Sequence, residues 1–560
     1  MTVLVPLPGA IGTYRTNALS GSFIMEKKDN RSQDVRALGE MSHRRIGRRP
    51  AHHRKSDRQA GGMQFLLKNL PLIPLLIAIG IVPLVVFLKV TPVPPEYRQF
   101  WVTNYVFDFF SYYKAQIIIA CASLILAAAL LLYFLGRLPR KRSALYIPLA
   151  VYAAMLVAST VASVHPSIAL GGFFDRAEGM WVLLAYVVLL VGTHLFVTEV
   201  RQAWLVLTVW AAALCIMCVL GIFQFFGLDF FSSLGGRLLI LPAQYHSIAP
   251  ILDFNFPRYW IYATLYNPNN VASMMSLAFP LAAACFLLSR SPRRQVVFGI
   301  LVILSCLTLV GANSRGGWIA VLFVLFLLAG LSVKRGMAGW QKRLGILALV
   351  AILEFGALKY ASGGVLGWRD AQPAAVVQQV VEDGTGQILE GGPSTPPATE
   401  ESLAERLIRK YGTAVSGRGY IWIRSLQMAG DTVLLGRGPD TFALYFPNTD
   451  PYKAFYIQPQ YFIDKPHNMY LQSWLNLGGL ATLALLAMVV LHATRTFRVL
   501  KEANPAGDRY MLALGLYAGW FAYLLAAFIY DSAVSVAPAF WIVFGLSMAM
   551  NDALYAENSR

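Results

Sequence analysis

The chain has 560 residues, of which 57% are hydrophobic and only 14% charged. Soluble domains carry about one quarter charged residues, so an ordinary globular enzyme is excluded. The net charge of +18, from 47 Lys and Arg against 29 Asp and Glu, would suggest nucleic acid in a soluble protein. Here the apolar residues fall into bilayer-length runs and many of the cations into the short loops between them. That pattern argues against nucleic acid and for a polytopic membrane protein.

Residues 1–69 are polar and basic, with RRIGRRP and HHRK and no apolar run, too long and too charged for a signal peptide. Two readings stand: a disordered cytoplasmic arm touching anionic lipid, or a working chain that begins near Met63. From Leu70 onward about twelve spans are expected, near 70–90, 115–135, 145–163, 181–198, 203–226, 270–288, 296–312, 315–331, 344–361, 470–492, 510–530 and 534–551. The expected fold is therefore all-α. Helices one to nine fill 70–361 and helices ten to twelve fill 468–551, with a short cytoplasmic tail at 552–560.

Orientation follows from loop charge. RLPRKR (137–142), RSPRR (290–294), KRGMAGWQKR (334–343) and the loop with Arg495, Arg498, Lys501 and Arg509 fall on one side when the spans alternate. The positive-inside rule puts that side and both termini in the cytoplasm. Three longer segments then face outward: aromatic-rich 91–114, then 227–269, then 362–467. The last opens with a Gly/Pro/Glu-rich stretch ending EDGTGQILEGGPSTPPATEES and carries helical patterns near 402–411 and 418–430.

Cys121, Cys215, Cys218, Cys285 and Cys306 all lie in apolar runs and read as small hydrophobes, so neither a disulfide framework nor a metal site is expected. HExxH, P-loop and GxSxG motifs are absent, which points away from ATP and from a metal cofactor.

Cations on the outer side run against the topological bias and need another reason. In GANSRGGW (311–318), Ser314 reads as an N-cap and Arg315 opens the next helix. A cation at a helix N-terminus is locally unfavourable unless an anion binds there, which Gly316 and Gly317 would let approach closely. The competing reading is a snorkelling arginine with glycines that ease packing. SGRGYIWIRSLQMAGD (416–431) repeats the pattern, with Arg418 in the first turn and Ile421, Trp422 and Met428 on an apolar face. It also reads as an interfacial anchor. Arg437 in LLGRGPDTF is a third outward arginine.

In DKPHNMYLQSWLNLGG (464–479), His467 stands at the mouth of a span, where the helix dipole disfavours imidazolium and leaves a neutral ring able to act as a base. Asp464 either opposes this or orients the ring. Asp175, Arg176 and Glu178 in GGFFDRAEGMW read most simply as local ion pairs, and Asn267 or Asn269 in YNPNNVA as a helix cap.

TLYNPNNVASMMSLAFPL, LTLVGANSRGGWIAVL, GRGYIWIRSLQMAGDTVLLGRGPDTFALYFP and KPHNMYLQSWLNLGGL, in this order, resemble the O-antigen ligase/polymerase superfamily over roughly 145–550. FFDRAEGMWVLLAY and LGIFQFFGLDFF match its pattern upstream. Two positions depart: the usual glycine before Asn-Pro-Asn is Tyr266, and Arg437 stands where an apolar residue is more frequent. The resemblance implies a GT-C-like membrane body in the bacterial inner membrane with its active site on the extracytoplasmic face. It implies transfer of a glycan from a polyprenyl (undecaprenyl) diphosphate donor to a hydroxyl acceptor, without metal or cofactor. It carries catalytic roles onto Arg315, Arg418 and His467, and donor binding onto Arg315, Arg418, Arg437, Arg176, Asn269 and Asn468. Ligase, polymerase and protein O-oligosaccharyltransferase share these motifs. A transporter of lipid-linked glycans would instead show ionisable residues deep within spans, where Glu354 is nearly alone.

Overall fold

In a bilayer every backbone N–H and C=O must find its partner within the protein, so the apolar runs form helices. A computed structural model describes residues 69–100, 104–252, 256, 259–334, 339–363, 402–457, 461–505 and 507–559, without the side chains of 99, 100, 315 and 332–334. The basic arm 1–68 and the Gly/Pro/Glu-rich stretch before Ser402 lie outside the described residues.

Seven described helices are long and apolar enough to cross a membrane: Tyr112–Phe134, Val200–Phe225, Pro268–Leu288, Pro292–Gly311, Trp340–Ala361, Gly479–Glu502 and Ala537–Asn558. Shorter apolar helices cover Leu70–Leu84, Tyr146–Val161, Met180–Phe196 and Gly316–Leu331. With helix Asp508–Ala526, each expected run has a helical counterpart. This is an all-α polytopic membrane protein.

Two runs differ from expectation. The first stops short: Pro71, Pro74 and Pro83 divide it into 3-10 turns around helix Ile73–Gly80, since proline lacks an amide hydrogen to continue the ladder. The chain is then a strand at Lys89–Pro92, antiparallel to Tyr105–Asp108, with Lys89 opposite Asp108. Asp108 in turn caps helix Tyr112–Phe134, accepting from the amides of Phe110 (2.8 Å), Ser111 (3.0 Å) and Tyr112 (2.6 Å). The second difference is at 470–492, where helix Met469–Leu477 ends and Gly479–Glu502 begins at Gly478. Gly478 has φ 107°, and a Cβ there would lie 2.6 Å from the Leu434 carbonyl oxygen. The break exists because the LLGRGPD loop packs against it.

Helix Pro268–Leu288 is the centre: 89% of its membrane window is buried, against 11% for Trp340–Ala361. Its small residues (Ala272, Ser273, Ser276, Ala278, Ala282, Ala283, Ala284) let neighbours approach on every side. Peripheral helices instead expose Leu131, Phe134, Ile352 and Leu353, a large cost in water and none against lipid tails.

The basic loops are tied together at one end of the bundle. Lys141 donates to the carbonyls of His194 (2.5 Å) and Val197 (2.9 Å), and His194 and Arg495 both reach Asp552. Arg294 pairs with Asp508 and Arg509 with Glu557. Arg343 donates to the last carbonyls of the 268–288 helix, Leu287 at 2.5 Å and Ser289 at 2.9 Å. The motif residues lie at the opposite ends of these helices.

Candidate active site

Four segments far apart in sequence meet on a buried polar floor. Lys465 donates to Glu178 (2.8 Å) and to the Ser532 carbonyl (2.8 Å). Glu178 also accepts from Tyr186 (3.0 Å) and from the Ser532 hydroxyl (2.7 Å). Asp440 accepts from the amides of Phe173 (2.8 Å) and Glu178 (3.1 Å). Burial works against the Lys465 charge, yet Glu178 and Asp440 hold its pKa above the usual lysine value. Burial also pushes Asp440 up to about 6, with Lys465 opposing and Glu178 adding to the rise.

This floor supports a cavity of about 60 Å³ whose lining includes Arg176, Tyr266, Asn269, Arg418, His467 and Asp531. Four of the residues expected from sequence (Arg176, Asn269, Arg418 and His467) are therefore brought together. Arg315 is the first residue of helix Arg315–Lys334, next to Ser314; its side chain lies outside the described residues. The Ser314 hydroxyl donates to Asn269 Oδ1 (3.0 Å) and lies 2.5 Å from the Tyr530 hydroxyl, which accepts from the Gly317 amide (2.7 Å). A phenol from the turn that follows helix Asp508–Ala526 thus caps this one. Gly316 faces Ile529, and Gly317 faces Leu309 and Ala272, so their lack of side chains serves close helix packing.

His467 Nδ1 lies 2.7 Å from Asp531 Oδ2, and the Asn468 amide donates to Asp531 Oδ1 at 3.2 Å. With Nδ1–H donated to the carboxylate, Nε2 is the basic nitrogen, and it has no protein partner among the described residues. Asp464, the orienting candidate from sequence, instead bonds Arg176. Burial raises the Asp464 carboxyl, but Arg176 holds it below the usual aspartate value. Arg176 also contacts Asp175 (3.3 Å) and lies over the Tyr266 ring at 5.1 Å. The ion pairs expected to be local are thus partly long-range.

Arg418 opens helix Arg418–Ala429 after Gly417. That helix packs Tyr420 and Ile421 against Ile408, Phe442, Phe446 and Leu475, with Met428 at the margin. Trp422 bonds the Pro466 carbonyl at 3.0 Å. The helix is docked on protein rather than on lipid through these residues. Among the described residues Arg418 has no carboxylate within ion-pair distance. Burial lowers its pKa, with Tyr530 and Asp531 acting the other way; an arginine remains charged regardless.

Two expected residues do not line the cavity. Arg437 pairs with Asp431 (3.1 Å) and stacks over Tyr445 (4.4 Å). Asn468 caps helix Met469–Leu477, accepting from the amides of Tyr470 and Leu471 at 3.0 Å each. Asn267 caps the central helix through Asn270. Asp531 and Tyr530 escaped the sequence reading. Their one signal is an acidic residue in the short turn between the last two apolar runs. Tyr266 has φ 83° and His467 φ 51°, conformations costly for side chains with a Cβ. A glycine, expected at position 266 from the resemblance, would suit this backbone, in which a tyrosine stands here.

The fold and site define a helical, multi-pass membrane protein with a polar cavity at one end. Residues 300–486 match the family model described as O-antigen ligase, which bears out the resemblance carried by the motifs. That stretch contains Arg315, Arg418, Arg437, His467 and Asn468, while Arg176, Asn269 and Asp531 lie outside it. No curated protein matches the chain. The match supports an activity of the glycan ligase or polymerase type, with lipid-linked glycan substrates. Among the described residues no group of three His, Cys, Asp or Glu is placed to hold a metal ion.

Proposed function

We propose that the protein transfers a glycan from a polyprenyl diphosphate carrier to an acceptor hydroxyl, at the extracytoplasmic face of the bacterial inner membrane. The carrying observation is the pairing, in one cavity, of an arginine without an ion-pair partner among the described residues with an Asp-oriented histidine. Arg418, with Arg315 from the adjoining helix start, takes the diphosphate; planar guanidinium donors match its oxygens in pairs. His467 Nε2 removes the acceptor proton as the acceptor oxygen bonds the anomeric carbon. The bond from that carbon to the phosphate oxygen breaks, and its electron pair leaves with the polyprenyl diphosphate. Asp531 stabilises the imidazolium that forms, and solvent later receives its proton. A positioned base supplies roughly 10²–10⁴-fold, and neutralising the leaving group supplies further rate.

Reconstitution with a synthetic polyprenyl-diphosphate glycan and a panel of acceptors, namely lipid A core, a growing polymer and a serine-containing protein, tests this reading. Glycan transfer to one of them, with release of polyprenyl diphosphate, is the expected result. Donor moved across the vesicle with its glycan still attached would replace the enzyme with a transporter.

A further inference from the structure

Of the segments expected to face outward, the one after helix Val200–Phe225 is nearly without charge. Residues 226–252 hold two charged residues, Asp229 and Arg237. Both are engaged within the protein. Asp229 accepts from Tyr262, from the Phe231 amide (3.1 Å) and from Gln224 (3.3 Å). Arg237 donates to the carbonyls of Ala249 (3.1 Å) and Pro250 (3.0 Å). What the segment exposes is largely hydrocarbon: Phe226, Leu228, Phe230, Leu234, Leu239 (64%) and Ile251 (81%). A water-facing stretch of this length would carry about one quarter charged residues, and so extensive an exposed apolar surface marks an interaction site.

The place of the segment in the fold says what covers it. Ile216, Val219, Phe223 and Phe226 are exposed at spacings of three and four residues. The lipid-facing stripe of a membrane helix thus runs without a break into the segment. The far end returns to the same level: Gln224, in the last turn of that helix, donates to the Ala263 carbonyl (3.1 Å) and accepts from its amide (2.7 Å). Between these ends the Leu88 amide donates to the Ile240 carbonyl (2.8 Å). Phe231, Ile240, Leu241 and Ala249 pack inward with Phe110 and Tyr262. One face is therefore held by protein, and the other continues the lipid-facing stripe. Helix Leu234–Ile240 has only seven residues, and the irregular backbone around it is incompatible with the hydrocarbon centre. Gln244, His246 and Ser247 are also exposed. Both features suit the boundary between headgroups and acyl chains.

We propose that residues 226–252 form an interfacial element whose outer surface rests in phospholipid of the leaflet at the candidate active-site end. Phe110 belongs to its inner cluster and also lines the cavity, so the leaflet comes within one side-chain layer of that cavity. A second copy of the chain is the competing occupant. It would have to cover the stripe of the spanning helix as well.

The test uses the full chain in vesicles of phosphatidylglycerol and phosphatidylethanolamine, prepared at a high and a low protein-to-lipid ratio. The vesicles contain a phospholipid with a diazirine near the start of one acyl chain, and adducts are mapped by mass spectrometry after photolysis. A leucine-sized side chain favours hydrocarbon over water by roughly tenfold or more. Adducts in 226–252 should therefore exceed those in the polar turn 447–451 by roughly tenfold, equally at both ratios. Equally sparse labelling of the two segments would make 226–252 a water-facing loop and overturn the proposal. Labelling confined to the low ratio would give the surface to a second copy and overturn it too. A second measurement uses a membrane-impermeant maleimide present on both faces of the vesicle, with the reaction of the native chain subtracted. Ile251→Cys should react roughly tenfold more slowly than Thr449→Cys, both positions being exposed in the protein itself. Equal rates would overturn the proposal. None of these outcomes depends on whether the protein transfers glycans.

Discussion

Asp531 holds His467 by Nδ1 at 2.7 Å while its second oxygen accepts the amide of the next residue, Asn468. One carboxylate therefore fixes both the ring and the backbone at the start of helix Met469–Leu477. The backbone of His467 is itself in the left-handed region, at φ 51°. Such strain persists where surrounding contacts over-determine it, and here Asp531 supplies two of them.

His467→Ala and Asp531→Asn should each reduce transfer by roughly 10²-fold or more with donor binding kept, because both act on the acceptor proton. The double variant should be little worse than His467→Ala alone, since residues acting as one unit are not additive. His165, bonded to Tyr97, and His246, bonded to the Leu241 carbonyl, are controls away from the cavity. Turnover near normal in His467→Ala, with equal protein in the membrane, would remove the base from this mechanism.

Arg418→Lys and Arg315→Lys should lose most activity while the protein still inserts. Lysine keeps the charge and loses the planar donor pair that a diphosphate can engage. The readout is turnover alongside donor affinity. Arg437→Lys should differ sharply, since that arginine is already engaged with Asp431 and Tyr445. Wild-type turnover in both Arg418→Lys and Arg315→Lys would make these residues topological.

The helical body was legible because apolar run length and loop charge are set by the bilayer, independently of how helices pack. Arg418 and His467 were legible because each departs from that pattern in a local way. Asp531 was not: the contact it makes joins segments 64 residues apart, and nothing local marks it. Lys465 was hidden for the same reason, its partner Glu178 lying 287 positions away. Arg437 looked like the other outward arginines from sequence, and only packing shows its charge already engaged. The Pro83 break and the Gly478 break lay within apolar runs, where hydropathy alone cannot separate one helix from two pieces.

Tyr266 offers a test of backbone strain. At φ 83° a side chain with a Cβ is disfavoured by about 1–2 kcal/mol. Tyr266→Gly should therefore be more stable than Tyr266→Ala by about 1 kcal/mol, although both lose the ring contacts with Phe110 and Arg176. Within an ordinary helix or strand the order is the reverse. Thermal unfolding of the two variants in one detergent decides it, and an alanine variant as stable as the glycine one would place this residue outside the left-handed region.

Asp440 predicts a pH-dependent stability whose sign is fixed by its environment. Burial raises the carboxyl from 3.8 to about 6, with Lys465 only partly compensating. The folded state thus binds this proton more tightly than the unfolded chain does. Its contribution is fully present below about pH 4 and is lost as pH rises through about 6, by an order of 3 kcal/mol. Asp440→Asn keeps an oxygen for the amides of Phe173 and Glu178 and removes the titration. The variant should gain stability over the native protein progressively from pH 4 to 7, and the difference should then level off. Unfolding temperatures measured for both proteins across this range would show a constant offset if Asp440 stays ionised throughout, and that outcome would sink the assignment.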